Sequence, residues 1–222
     1  MLMAGELGFR CLGCAGERQE IIGPTHGGDY RRCLECGLEV RVVPEGESTE
    51  ASFDAAQQVC YVDQDVLGSP LMRLMHHWGA AARLRVVRRY LPQGRLFEVG
   101  PGGGELMVLA RAAGFGVAGI EHSERLAHRL STELGLEVAC GTIEEADLSQ
   151  SRTDAVVSLH VIEHVPDPRR HLSAARQAVV SGGFLFLATP NLGAWSRRVA
   201  GKRWPGYSAG HLHLFRASSL KR

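Results

Sequence analysis

From residue 95 onward the chain alternates short apolar runs with amphipathic stretches, a rhythm that predicts strands separated by helices. The strands are Arg95-Leu96-Phe97, Gly116-Val117-Ala118-Gly119-Ile120, Glu137-Val138-Ala139-Cys140, and Asp154 to His160. Between the second and third, Ser123 to Leu134 carries apolar residues at 126, 127, 130 and 134 and stops at Gly135, which reads as a helix. Asp167-Pro168 opens another with proline in its first turn; Ala174, Ala175, Ala178 and Val179 supply its buried face and Ser181-Gly182-Gly183 ends it. Ahead of the first strand, Leu71, Leu74, Met75, Trp78, Ala82, Val86 and Tyr90 recur at three- and four-residue spacing within 71–91, predicting a helix packed on the sheet. Alternating β and α elements of this kind form a parallel, doubly wound α/β sheet with helices on both faces.

A different pattern precedes it. Cys11 and Cys14 form one pair and Cys33 and Cys36 another, with 18 residues between the pairs, a spacing that suits a four-cysteine zinc ribbon. Each pair forms a knuckle aiming two thiolates at one tetrahedral ion, and Gly13, Gly16 and Gly37 free the turns. A disulfide framework is the alternative, disfavoured because no export signal precedes Cys11 and Cys60 and Cys140 have no close sequence partner. So short a segment buries too little apolar surface to fold without metal. The expected organisation is therefore a zinc ribbon over 1–44, an acidic connection over 45–69 with a short helix around 53–59, and the α/β domain over 70–222.

Composition narrows the partners. With 25 basic and 24 acidic side chains the net charge is +1, so no global field favours nucleic acid or membrane. No run of 18 apolar residues is present, and a cytoplasmic enzyme is expected.

The most specific chemistry lies at the end of the first strand of the α/β region. Glu98-Val99-Gly100-Pro101-Gly102-Gly103-Gly104 joins that strand to a helix beginning near Leu106, bringing backbone N–H groups close to a ligand. A dinucleotide fingerprint needs a small residue at 105, where this chain has Glu105, which points away from NAD. Glu121 closes the second strand 17 residues after Gly104, near the offset at which a carboxylate meets ribose hydroxyls; capping the following helix is the alternative. The acidic-x-Gly-x-Gly-x-Gly loop resembles motif I of the class I S-adenosylmethionine-dependent methyltransferases. His160-Val161-Ile162-Glu163-His164-Val165-Pro166-Asp167-Pro168 resembles the segment after the fourth strand in small-molecule members such as the ubiquinone O-methyltransferase group, and 182–191 resembles their fifth strand. The resemblance spans roughly 70–216 and implies a Rossmann-like fold binding S-adenosylmethionine. It assigns Glu98, Gly100, Pro101, Gly102 and Gly104 to the amino-acid part of the cofactor, Glu121 to the ribose, and Thr142 and Ile143 to the adenine. Arg32-Cys33-Leu34-Glu35-Cys36-Gly37-Leu38 resembles the zinc-binding module ahead of some bacterial methyltransferase domains, including sugar C-methyltransferases.

Methyl transfer from a sulfonium is an in-line displacement that needs positioning above all. A hydroxyl or carbon acid must also lose a proton, and histidine titrates nearest neutrality. His211, His213 and His164 are the candidate bases, with packing or hydrogen bonding as the alternative for each; His160 is expected to contact the cofactor. Trp195, Trp204, Tyr207 and Phe215, interleaved with Arg197, Arg198, Lys202 and Arg203, are expected to form a lid over a small, anionic substrate, with gripping a nucleic acid by stacking and phosphate contact, or covering the sheet edge, as the alternatives. The family normally adds two strands after the fifth, whereas here the chain reaches Ala217-Ser218-Ser219-Leu220, a helix cap. A shortened fold with residues 205–222 poorly ordered, or packed on a partner at the exposed edge, is the expectation. The leading function is methyl transfer to a small molecule, with oxygen as the expected acceptor. Sugar C-methylation, RNA base methylation with a docking ribbon, and a non-catalytic cofactor-binding module are the alternatives.

Overall fold

The computed structural model describes residues 10–43, 70–148 and 152–220. The acidic connection over 45–69, its short helix and Cys60 lie outside the described residues. The chain divides into two compact units: Met1–Ala56 with Ile162–Arg169 and Thr189–Arg222, and Gln57–Val161 with Arg170–Ala188. We call them the ribbon unit and the sheet unit.

The sheet unit contains five parallel strands, β4 (Arg95–Val99), β5 (Gly116–Glu121), β6 (Glu137–Cys140), β7 (Thr153–Leu159) and β8 (Val179–Ala188), in the order β6-β5-β4-β7-β8. The order reverses beside β4, which places its carboxyl end at the crevice where such sheets bind ligands. Helices α1 (Pro70–Tyr90), α2 (Glu105–Ala112), α3 (Glu124–Leu134) and α4 (Pro168–Ala178) accompany the strands. The signals around α3 act as read: Ser123 is its N-cap, its hydroxyl accepting from the Leu126 N–H, and Gly135 closes it in the left-handed conformation.

Two local readings differ from the structure. Helix α1 packs through Ala80, Leu84 and Val87 onto Leu96, Leu106 and Val157, whereas Leu71, Leu74, Met75, Trp78, Val86 and Tyr90 of the expected stripe are exposed. The helix has apolar residues on two faces, and the 80-84-87 row takes the core. Strand β8 begins at Val179, so Ser181-Gly182-Gly183 lie inside it and do not terminate a helix. A register shift between Thr153 and Ala155 absorbs the extra residues as a bulge, with Gly182 at φ 80°.

The ribbon unit holds a four-stranded antiparallel sheet, β1 (Gln19–Thr25), β2 (Gly28–Cys33), β3 (Glu39–Arg41) and β9 (His213–Leu214), in that order. Residues 189–222, which sequence assigned to the α/β domain, thus group with the N-terminal ribbon. The cause is specific pairing and packing: Glu39 pairs with Leu214 and Val40 with His213, while Tyr30, Leu192, Trp204, Tyr207 and Leu214 form one core. Buried Glu39 is fully satisfied there, accepting from Arg32 at 2.8 Å and from the Tyr207 hydroxyl at 2.8 Å, with Arg197 donating to that hydroxyl at 2.9 Å. Residues 205–220 are therefore structured, contrary to the expected disorder. Trp204, Tyr207 and Phe215 are core residues and not a lid, and only Trp195 of that group is exposed.

Gly104 illustrates how tightly the sheet unit is closed. Its φ is 81°, and a Cβ there would lie 2.6 Å from Leu130 Cδ2. Gly104→Ala should cost about 1–3 kcal/mol of stability from strain and overpacking, read from denaturant midpoints. An unchanged midpoint would contradict this packing.

Candidate functional site

Parallel pairing aligns the ends of three strands. Glu98 pairs with Gly119, Val99 with Ile120, and Glu121 with Cys140, so the loops after β4, β5 and β6 share one edge. The glycine loop turns through left-handed conformations at Gly100, Gly102 and Gly104, with φ of 64°, 55° and 81°. Gly100 N–H donates to the Ile120 carbonyl at 2.9 Å, and a Cβ on Gly100 would come within 2.8 Å of Val161 Cγ2. Pro101 is buried inside the same turn.

Glu121 binds this loop directly. One carboxylate oxygen accepts from the Gly102 N–H at 3.3 Å and the other from the Ser123 N–H at 3.0 Å. It thus both caps the approach to α3 and joins the strand end to the glycine loop. Glu98 is the second acid, and burial pushes its carboxyl up to about 8; the neighbouring Glu105 adds to the rise, Arg83 opposes it, and Glu121 contributes further. Its Oε2 is buried with no protein hydrogen-bond partner among the described residues. An orphaned carboxyl oxygen beside open glycine backbone suits a ligand with a cationic group.

The remaining predicted residues of the sheet unit fall at the same strand ends. Ile143 is buried and packs with Val99 and Ile120, and the Thr142 hydroxyl donates to Glu145 at 3.0 Å. The loop that carries them is anchored by a network that sequence reading missed. His171 Nδ1 lies 2.7 Å from Glu144 Oε1, and its Nε2 lies 3.0 Å from the buried Ser158 hydroxyl. Burial alone would raise the Glu144 pKa, but the His171 hydrogen bond and charge hold it below the usual carboxylate range. His160 follows β7 in a left-handed conformation at φ 58°, its N–H donating to the Ala188 carbonyl at 2.8 Å. Such a backbone is uncommon for a non-glycine residue and occurs where a turn is over-determined.

The other three histidines belong to the ribbon unit, and the structure brings two of them together. The rings of His164 and His211 stand 4.9 Å apart, edge to face, with Glu163 beside them. His164 Nδ1 lies 2.8 Å from the Gly210 carbonyl and His211 Nδ1 lies 2.7 Å from the Gly206 carbonyl. His213 is apart, buried in β9 against Phe215. Burial pushes its pKa down to about 4, against the opposing pull of Asp167 and the Val165 backbone.

Cys11, Cys14, Cys33 and Cys36 converge with all four sulfurs within 4.8 Å of one another. The Cys11–Cys36 and Cys14–Cys33 sulfur distances are 3.5 and 3.6 Å, and the thiols are free. Sulfurs about 2.3 Å from a tetrahedral zinc stand close to that far apart, so the donor set fits the ion. Backbone bonds shape the knuckles: Cys11 N–H donates to the Gly16 carbonyl and Gly37 N–H to the Cys33 carbonyl, both at 2.9 Å. Among the described residues, no helix is long and apolar enough to cross a membrane.

Comparison with known proteins adds an independent line. A family model described as a methyltransferase domain matches residues 75–222. A ubiquinone biosynthesis O-methyltransferase from Alkalilimnicola ehrlichii is 38% identical over 103 residues, covering 44% of this chain and 42% of that protein. One of the same description from Cronobacter sakazakii is 34% identical over 118 residues, covering 50% of this chain and 49% of the relative. The chain thus spans about half the length, or less, of these relatives. Among solved structures, a SAM-dependent methyltransferase from Thermotoga maritima, described as a possible histamine N-methyltransferase, superposes with a TM-score of 0.57 at 25% identity. That match covers 72% of this chain and 76% of the other.

Proposed function

The chain belongs to the methyltransferase-domain family, and from that premise we propose that it transfers the methyl group of S-adenosylmethionine to a hydroxyl oxygen of a small molecule. The observation that carries the reading is the glycine loop at the carboxyl end of β4, held by the Glu121 carboxylate through Gly102. Bound S-adenosylmethionine supplies an activated methyl on a sulfonium, so the chain's own task is to bind, orient and deprotonate. Glu98, Gly100, Pro101, Gly102 and Gly104 take the amino-acid portion, where Glu98 ionises against its ammonium. Glu121 receives the ribose hydroxyls, Thr142 and Ile143 the adenine, and His160 borders the cofactor.

Of the three histidines proposed for the acceptor, His211 and His164 are the stronger. A carbonyl can only accept, so each Nδ1 carries the proton and each Nε2 keeps a lone pair able to accept one from a hydroxyl. His213, buried and without a partner on Nδ1 among the described residues, holds β9 in place. Oxygen as the acceptor is favoured by the O-methyltransferase relatives. Zinc on the four cysteines would supply a structural cross-link and no part of the reaction, and a reducing compartment such as the cytoplasm suits those thiolates.

The test is transfer of labelled methyl from S-adenosylmethionine to a panel of phenolic, sugar and RNA acceptors. Glu121→Ala should lower kcat/KM roughly 10–150-fold, equivalent to about 1.5–3 kcal/mol and the worth of a charged hydrogen-bonding group, while Glu121→Gln retains part of it. Transfer that proceeds equally well in Glu121→Ala would remove the basis of this assignment.

A further inference from the structure

We propose that His171 is a positioning residue for the adenine: from helix α4 it ties the loop after β6 to strand β7 and so holds Thr142 and Ile143 in place. The tie stands on its own; its use for the adenine rests on the S-adenosylmethionine reading above.

The imidazole is 1% exposed, and both of its nitrogens are engaged within the sheet unit. A carboxylate only accepts, so the 2.7 Å contact with Glu144 Oε1 puts the proton on Nδ1. Nε2 then keeps a lone pair for the Ser158 hydroxyl at 3.0 Å. Ser158 is fully buried and pairs with Val99, the residue before Gly100, so the chain of bonds starts beside the glycine loop. It ends at Thr142, whose hydroxyl donates to Glu145 at 3.0 Å and neighbours the Glu144 carboxylate. Arg170 reinforces the tie by donating to the Glu144 carbonyl at 3.4 Å. Two consecutive residues of α4 therefore grip one loop residue, by its side chain and by its backbone.

The polar character of this tie is what suits it to positioning. Elsewhere the buried face of α4 is apolar, with Ala175 and Ala178 packed in one cluster with Ile143, Val99 and Val156. An aliphatic side chain at 171 would bury as readily, and a buried hydrogen bond adds little net stability because it replaces one to water. Apolar contact is non-directional, however, and lets a loop slide. A buried network with every member satisfied fixes one arrangement. A loop already held in its binding arrangement loses less freedom when the ligand arrives, and binds it more tightly for that reason.

The experiment combines hydrogen exchange of the ligand-free protein with titration by S-adenosylhomocysteine and by adenosine, in wild type and in His171→Phe. The amides of Glu145 and Ala146 both donate to the Thr142 carbonyl at 3.2 Å and report on the loop. In His171→Phe they should exchange roughly tenfold faster or more, while β4, β5 and β7 keep their protection. Affinity for both ligands should fall by the same factor, roughly tenfold, because the loss lies at the nucleoside end. His171→Asn, whose amide can still donate to Glu144, should recover most of both. If His171→Phe fails to fold, Glu144→Ala, on the loop side of the tie, carries the same test. Unchanged exchange in the variants would overturn the tie. Faster exchange with unchanged affinity, or a loss for S-adenosylhomocysteine that adenosine does not share, would overturn its use for the adenine. The exchange effect in a protein whose wild type binds neither ligand would support the tie and count against the S-adenosylmethionine reading.

Discussion

Removal of metal from Cys11, Cys14, Cys33 and Cys36 should unfold the β1-β2-β3-β9 sheet while leaving the strands of the other unit protected from hydrogen exchange. Zinc on four thiolates contributes on the order of 10 kcal/mol in small modules, as much as the whole stability of many domains. Two cysteines sit on a turn before β1, and the others end β2 and begin the turn to β3, so the ion fastens the edges that β9 then extends. The expected result with chelator, or with Cys33→Ser, is loss of protection from Tyr30 to Arg41 and at 212–215. Core strands β4, β5 and β7 keep theirs, because Leu96, Phe97, Ile120, Val156 and Val157 pack within the sheet unit. Metal analysis of protein purified without added zinc should find about one equivalent. A Cys11–Cys14 disulfide in reduced extracts, or unchanged exchange after metal removal, would count against this role.

The second large effect concerns Glu98. Its ordinary pKa of 4.5 is raised to about 8 in the folded protein, mainly by burial. Between those values the unfolded chain loses a proton that the folded chain keeps, so stability falls as pH rises through that window and levels off above it. The full span is on the order of 5 kcal/mol. Glu98→Gln should flatten the slope of denaturant midpoint against pH from about 5 to 8. A cationic ligand favours the ionised form, so S-adenosylmethionine should bind more tightly as pH approaches 8 and release a proton near neutrality. A slope that persists in Glu98→Gln would assign it to other groups.

Much of the sheet unit was legible because local chemistry specifies it. The centre of β7, Ala155 to Ser158, is buried on both sides, and α3 carries a cap at each end, Ser123 and Gly135. The glycine loop was legible because left-handed backbone at Gly100, Gly102 and Gly104 requires that residue. Helix α1 misled because apolar residues lie on two of its faces and only tertiary packing chooses between them. The bulge in β8 turned glycines that resemble a helix stop into strand residues. Pairing of β9 with β3 left no local trace, since a two-residue strand has no periodicity and its partner lies far away in sequence. The same holds for His164 and His211. Their meeting depends on the loop before β9.

The loop from Glu98 to Gly104, with Glu121, is proposed to bind S-adenosylmethionine. Equilibrium titration of the intact protein with S-adenosylmethionine and, separately, with NADH tests it most directly. Saturable binding of S-adenosylmethionine at one site is expected, with a dissociation constant of roughly 1–100 μM. Binding should weaken by roughly 10–150-fold in Glu121→Ala and be abolished in Gly100→Val, where a side chain would meet Val161. Tight binding of NADH with none of S-adenosylmethionine would contradict it.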